Sequence, residues 1–264
     1  MSTVIKYFKI YFAFLRASII ADMQYRLNYL TRFATDIFWY IAQVMMYEVI
    51  YLHTQKIGTW EIAQTRVFLG MLFVIDSLYT VLFSENVDRL SEKVRKGDLD
   101  LLLAKPINSQ FMISLQKVNT SILGNLIISF SWLFYSLNQI SNFTFQQALW
   151  LIILLPSGLC IFYSLRFMFS ATAVIFTKSD NLQYMWYQIY KLGMRPDAIY
   201  FPTLRILLMT LIPVSLIASV PSRVLFQDAS LELTLWTLFA GPLALYSSIV
   251  FWNFCLSKYS SASS

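Results

Sequence analysis

Long stretches of this chain hold almost no charge, and six of them are long enough to cross a bilayer: Leu30 to Leu52, Val67 to Phe83, Phe111 to Leu137, Ala148 to Phe176, Leu204 to Val220 and Leu233 to Leu256. A hydrocarbon core about 30 Å thick needs roughly 20 apolar helical residues, since lipid leaves each spanning segment to satisfy its own backbone hydrogen bonds. The expected fold is therefore all-α and integral to the membrane, a single domain over residues 1–264. Pro213 lies inside the fifth stretch and Pro221 closes it, so that span is expected to kink or to be partly re-entrant, and five spans are the alternative to six. Sorting the connections alternately to two sides gathers Lys6, Lys9, Arg16, Arg26, Arg32, Arg89, Lys93, Arg95, Lys96, Lys105, Lys178, Lys191, Arg195, Arg205 and Lys258 on one side. Only Lys56, Arg66 and Arg223 fall on the other. The basic side is the cytoplasmic one, with both chain ends on it.

Three segments outside the spans carry amphipathic pattern. In residues 1–26, Phe8, Tyr11, Phe12, Leu15 and Ile19 share one helical face with Lys9 and Arg16 off it, which predicts an N-terminal helix lying in the membrane interface. The mixture of charge into this stretch excludes a signal-peptide core, so it is expected to be retained. In the cytoplasmic loop 84–108, Val87, Leu90 and Val94 repeat at helical spacing; Asn86 is placed to cap that helix and Gly97 to end it. An apolar run too short to span follows, Asp98 to Ala104, stopped at Pro106. In the connection 177–203, Leu182, Met185, Trp186 and Ile189 form a stripe beside Tyr184, Tyr187 and Tyr190, which predicts a second interfacial helix.

Composition agrees with this outline, at 58% hydrophobic and 13% charged residues. The net charge of +6 is accounted for by the cytoplasmic loops, with anionic lipid headgroups as its counter-charge, so nucleic acid is not an expected partner. Cys160 and Cys255 sit in apolar runs without metal or disulfide spacing, and the lone His53 near the outer end of the first span reads as an interfacial side chain. Neither a phosphate-binding loop nor a nucleophile elbow nor a zinc motif occurs; no catalytic residue and no metal ligand is expected. Asn142-Phe143-Thr144 fits a glycosylation acceptor, to which no function is attached. Asp36, Glu48, Asp76, Lys117 and Arg166 lie within or near the spans, where ionisable groups face other helices or water, so each is a candidate for a translocation pathway or an internal pair.

The run Arg95-Lys96-Gly97-Asp98-Leu99-Asp100-Leu101-Leu102-Leu103-Ala104-Lys105-Pro106 resembles the basic-Gly-x-Leu-Asp-x-Leu-Leu-x-basic-Pro signature of type-2 ABC exporter permeases, in the six-span branch that bacteria often encode as paired permeases. Tyr25-Arg26, Ile212-Pro213, Val220-Pro221 and the terminal Lys258-Tyr259-Ser260-Ser261-Ala262-Ser263 are also similar to that branch. Lys105 stands where the family often has Arg. The resemblance implies a permease of the bacterial inner membrane with two partners, a cytoplasmic ABC ATPase dimer that holds ATP and Mg and a second permease, alike or different. This chain would bind no cofactor itself. Its substrate would be amphipathic or hydrophobic; the alternative is a non-transporting membrane scaffold or assembly factor. By the same resemblance the loop holds a coupling helix, with Val87, Leu90, Val94 and Arg95 touching the ATPase, Gly97 ending the helix, and Asp98, Asp100, Lys105 and Pro106 completing the coupling segment.

Overall fold

The computed structural model describes residues 3–22, 26–140, 143–176, 180–226 and 229–259. Tyr25, Asn142, Lys178 and residues 260–264 lie outside the described residues, as do the side chains of Arg26 and Arg32. The described residues form helices and no named strand: α1 (Thr3–Asp22), α2 (Arg26–His53), α3 (Ile62–Tyr79), a π-helical turn Thr80–Ser84, α4 (Glu85–Val87), α5 (Leu90–Lys96), α6 (Asp98–Leu103), α7 (Ser109–Leu115), α8 (Leu123–Asn138), α9 (Phe145–Ala171), α10 (Ala173–Phe176), α11 (Asp180–Gly193), α12 (Pro202–Thr210), α13 (Ser219–Leu225) and α14 (Leu231–Ser257). Among the described residues, four helical stretches are long and apolar enough to cross a membrane: Ile62–Lys96, Thr120–Asn138, Phe145–Phe176 and Leu231–Ser257. The pair Pro202–Thr210 and Val214–Leu225, bent by 75°, makes a fifth if counted as one.

Helix α3 is the spine of the core, every residue from Val67 to Ile75 being buried. Reciprocal bonds between Glu61 and Gln64 open it, with the Glu61 N–H donating to Gln64 Oε1 at 2.8 Å. α2 runs antiparallel to it, tied at one end by the Arg66–Glu48 pair at 2.6 and 2.9 Å and lower down by the Tyr40 and Phe73 rings, 4.4 Å apart. Although 28 residues long, α2 is not among the four most apolar helices, because Asp36, Gln43 and Glu48 interrupt it. α8 is also antiparallel: Trp132 Nε1 donates to the Arg66 carbonyl at 3.2 Å, and Arg66 reaches Gln139 at 2.7 Å. α9 runs with α3, Phe162 packing on Tyr79 at 4.5 Å and Arg166 reaching Asp88. α14 lies parallel to α9, where Ser157 Oγ donates to the Thr237 carbonyl at 2.6 Å and Phe167 meets Trp252 at 5.5 Å.

Two predicted spans are corrected. The third, Phe111 to Leu137, is interrupted between α7 and a 3-10 turn at Thr120–Ile122. The polar run Gln116, Lys117, Asn119, Thr120 and Ser121 allows it, since side chains elsewhere take up the backbone groups a broken helix frees. The fifth, Leu204 to Val220, turns back on itself: Arg205 from α12 and Arg223 from α13 both reach the carboxylate of Asp197. They had been assigned to opposite sides of the membrane. The segment that runs the height of α3 instead is α11. Gln183 donates to the Asp88 carbonyl at 3.4 Å, Tyr190 to Asp76 at 3.4 Å, and Tyr47 to the Met194 carbonyl at 3.5 Å. Beyond it Ala198 closes on Gly58, at the far end near Trp60. An interfacial helix does not fit that course; Trp186 of its predicted stripe and Tyr190 beside the stripe stack on Phe162, while Met185 of the stripe stays exposed.

Candidate functional site: the acidic cavity and the loop below it

The spine does not stop at Tyr79. It continues through the π turn and α4 to α5, so Ile62–Lys96 forms a helical stretch of 35 residues. A π turn disturbs the i→i−4 ladder and occurs often where a helix has work to do. Here the Val81 carbonyl accepts the N–H of Asn119 at 2.8 Å, so the π turn and the break between α7 and α8 satisfy each other. Asn86 does the same from α4: its amide donates to the Ser114 carbonyl at 3.1 Å and the Lys117 carbonyl at 2.6 Å, and its oxygen accepts the Lys117 N–H at 3.0 Å. The role expected of Asn86, capping the following helix, is thus replaced by a clamp across to the next one. From α1, Ser18 Oγ accepts the Val118 N–H at 3.0 Å and Asp22 accepts from Thr120 N and Oγ1 at 3.1 and 2.6 Å. Tyr11 and Leu15 of α1 pack beside Val81, Val118 and Ile122, leaving Phe8, Phe12 and Ile19 of the predicted face exposed.

Above this knot opens a cavity of about 810 Å³ whose wall includes Asp36, Asp76 and Arg166, three of the five charged residues singled out in the sequence. Arg166 meets Asp88 at 2.8 Å, and Asp88 also receives the Tyr79 hydroxyl at 3.2 Å. Asp36 accepts from the Asn125 amide. The other two lie elsewhere: Glu48 is engaged by Arg66 near the start of α3, and the Lys117 ammonium stands 3.5 Å from Glu85 beside the break. Sequence reasoning missed Glu85 and Asp88 as members of the wall. They follow directly on the π turn, which has no signature in hydropathy. It also missed Asp197, fully buried, whose Oδ1 accepts from Ser219 at 2.6 Å while Arg223 lies 3.2 Å from Oδ2.

Below the cavity the loop 84–108 is arranged differently from expectation. Val87, Leu90 and Val94 are buried, facing the chain's own core with α9 and α10 beside α5, and so present no surface to a partner. The physical reason is continuity: α5 prolongs the spine, and its apolar stripe goes on packing as the spine's does. Gly97 ends the helix at φ 76°, a left-handed conformation that suits glycine. What faces outward is Arg95, Lys96, Asp98, Leu101, Lys105 and Pro106, with Asp100 half-buried; Leu101 is 69% exposed. Lys6 of α1 donates to the Pro106 carbonyl at 3.3 Å, and the Tyr7 and Phe111 rings meet edge to face at 4.8 Å.

A family profile described as ABC-2 family transporter protein matches residues 37–263. The chain belongs to the ABC-2 transporter family. No curated protein and no solved structure matches it. Membership makes it a multi-pass membrane protein and a permease component of an ABC transporter, and the match takes in the loop and all of the cavity wall but Asp36.

Proposed function

We propose that this ABC-2 chain is one half of the membrane channel of an ATP-driven exporter in a bacterial inner membrane, with its cytoplasmic ATPase dimer holding ATP and Mg and a second permease beside it. One observation carries the reading: the wall of the cavity and the exposed loop 97–106 hang from the same helical spine. The packing directions support a reading with six crossings, namely α2, α3, α7 with α8, α9, α11 and α14. Taking α11 as the fifth moves Lys191, Arg195 and Arg205 to the side of Lys56, Arg66 and Arg223. The excess of basic residues stays with the Lys96 side, which is the cytoplasmic one, and both ends of the chain remain on it. α1 then lies at the cytoplasmic interface against anionic headgroups.

In this reading ATP closes the ATPases against the loop, and the spine carries the displacement to the cavity, biasing the bundle between inward-facing and outward-facing packings. Contact with the ATPase falls to Arg95, Asp98, Leu101 and Lys105, with Leu90 and Val94 holding α5 in place behind them. The test is Leu101→Asp in the permease co-expressed with its ATPase. The variant is expected to insert normally but to recover less ATPase on purification and to lose nucleotide-driven export. Undiminished ATPase recovery and export would refute the contact, and labelling of Arg95→Cys only from outside intact cells would refute the orientation.

A further inference from the structure

Asp76 is unusual among the charges around the cavity. Arg166 is held by Asp88 at 2.8 Å, and Arg89 by Glu85 at 3.1 Å. Among the described residues Asp76 has no ion-pair partner; its Oδ1 receives only the Tyr190 hydroxyl, at a long 3.4 Å. A carboxylate within an apolar helix is costly and is normally retained with a partner, which marks Asp76 as one half of a pair.

The surroundings say what the other half is. The same wall carries Trp39, Tyr40, Phe162, Trp186, Tyr187 and Tyr190. Three of these rings form a fixed ladder: Phe162 and Tyr190 stack at 4.5 Å and 14°, and Tyr190 and Trp186 at 5.8 Å and 12°. Aromatic faces attract cations as well as apolar bodies, and the ammonium of Lys191 already lies 4.6 Å from the centre of the Tyr187 ring. A volume of about 810 Å³ falls within the range of sites for drug-sized molecules.

We propose that the substrate is an organic cation with an aromatic or aliphatic body, its charge paired by Asp76 and its body laid against the ring of Trp39. The assignment rests on the cavity being the transport site. It is tested with two ions of the same shape and opposite charge, tetraphenylphosphonium and tetraphenylborate, on the permease with its ATPase in proteoliposomes. Quenching of tryptophan fluorescence without nucleotide is expected to show binding of the phosphonium and not of the borate. Asp76→Asn is expected to weaken phosphonium binding by about tenfold or more and Asp76→Glu to preserve it. Trp39→Leu, which leaves the carboxylate in place, is expected to weaken it too and serves if Asp76→Asn fails to fold. Equal binding of both ions, or phosphonium binding untouched in Asp76→Asn and Trp39→Leu, overturns the proposal. ATP-driven accumulation is read separately: carriage of the borate alone would sink the cation assignment and leave transport standing. Phosphonium bound at Asp76 but moved by no nucleotide would sustain the cation site and sink the transport reading.

Discussion

Asn86 is the residue whose loss should be felt most widely. It is 1% exposed and supplies three hydrogen bonds to the end of α7, two to carbonyls and one to an N–H. Truncation to alanine orphans all three groups where the helix is broken. A buried backbone group left without a partner costs about 1–3 kcal/mol, and water reaching the half-exposed Lys117 relieves part of it, so Asn86→Ala should destabilise the protein by about 3–5 kcal/mol. Asn86→Asp sharpens the test. The carboxylate can still accept the Lys117 N–H, but it sets an acceptor against the Ser114 and Lys117 carbonyls in place of a donor. If the side chain served only as a polar group, Asp would rescue much of what Ala loses; the geometry requires Asp to be at least as damaging. The measurement is the thermal unfolding midpoint of the purified protein in detergent. A midpoint unchanged in Asn86→Ala, or higher in Asn86→Asp than in Asn86→Ala, would refute the clamp.

Asp197→Asn leaves the guanidinium groups of Arg205 and Arg223 together without their carboxylate, and breaking so buried a pair should cost about 3–5 kcal/mol, read as loss of protease resistance in the segment 195–226. For the pair between α9 and α3, a double-mutant cycle on Arg166→Met and Asp88→Asn should return a coupling of about 1–2 kcal/mol, below a fully buried pair because Asp88 is 39% exposed. At Gly241, where an added Cβ would stand 2.4 Å from Ser157 Oγ and 2.9 Å from Ser157 Cα, Gly241→Leu should abolish folding by forcing α14 off α9. Gly97→Ala meets nothing within 4 Å, so only its φ of 76° is penalised, by about 1 kcal/mol; monodispersity in detergent separates the two glycine variants.

How much of this was legible in the sequence depended on whether a segment's polarity is uniform. Ala148 to Phe176, but for Arg166, and Leu233 to Leu256 are runs without charge, and α9 with α10 and α14 lie within a few residues of those limits. Gly97 as a helix stop was legible because a left-handed residue has a preferred identity. The interruption at Gln116 to Ser121 was not, because averaging hydropathy over about 20 residues lets Ile113, Leu115, Ile122 and Leu123 conceal a polar stretch between them. α11 was misplaced for the opposite reason. Its tyrosines mimic an interfacial belt, yet whether Trp186 and Tyr190 face headgroups or Phe162 is decided by a partner some 24–28 positions away, which no local pattern contains. The three wall charges Asp36, Asp76 and Arg166 were legible as exceptions to hydrocarbon burial, whereas Glu85 and Asp88 resembled ordinary loop charges.

The π turn explains why those two carboxylates belong with the cavity and not with the loop. It lies between Asp76, which faces the cavity, and Leu90 and Val94, which anchor α5 in the core, so a displacement of the loop reaches Glu85 and Asp88 first and must pass through the turn to reach Asp76 along the spine. On the way it meets the Val81 bond to Asn119, the Asn86 clamp and the contacts of Glu85 with Arg89 and Lys117. All of these tie the spine to its neighbours near the break between α7 and α8. A straight α-helix there would transmit a push as a rigid rod, whereas a π turn can pass its extra residue along the ladder by exchanging one set of carbonyl partners for another. The chain's amphipathic N-terminal helix, through Ser18 and Asp22, holds the same junction, so that helix and the loop both bear on the spine beside the break between α7 and α8.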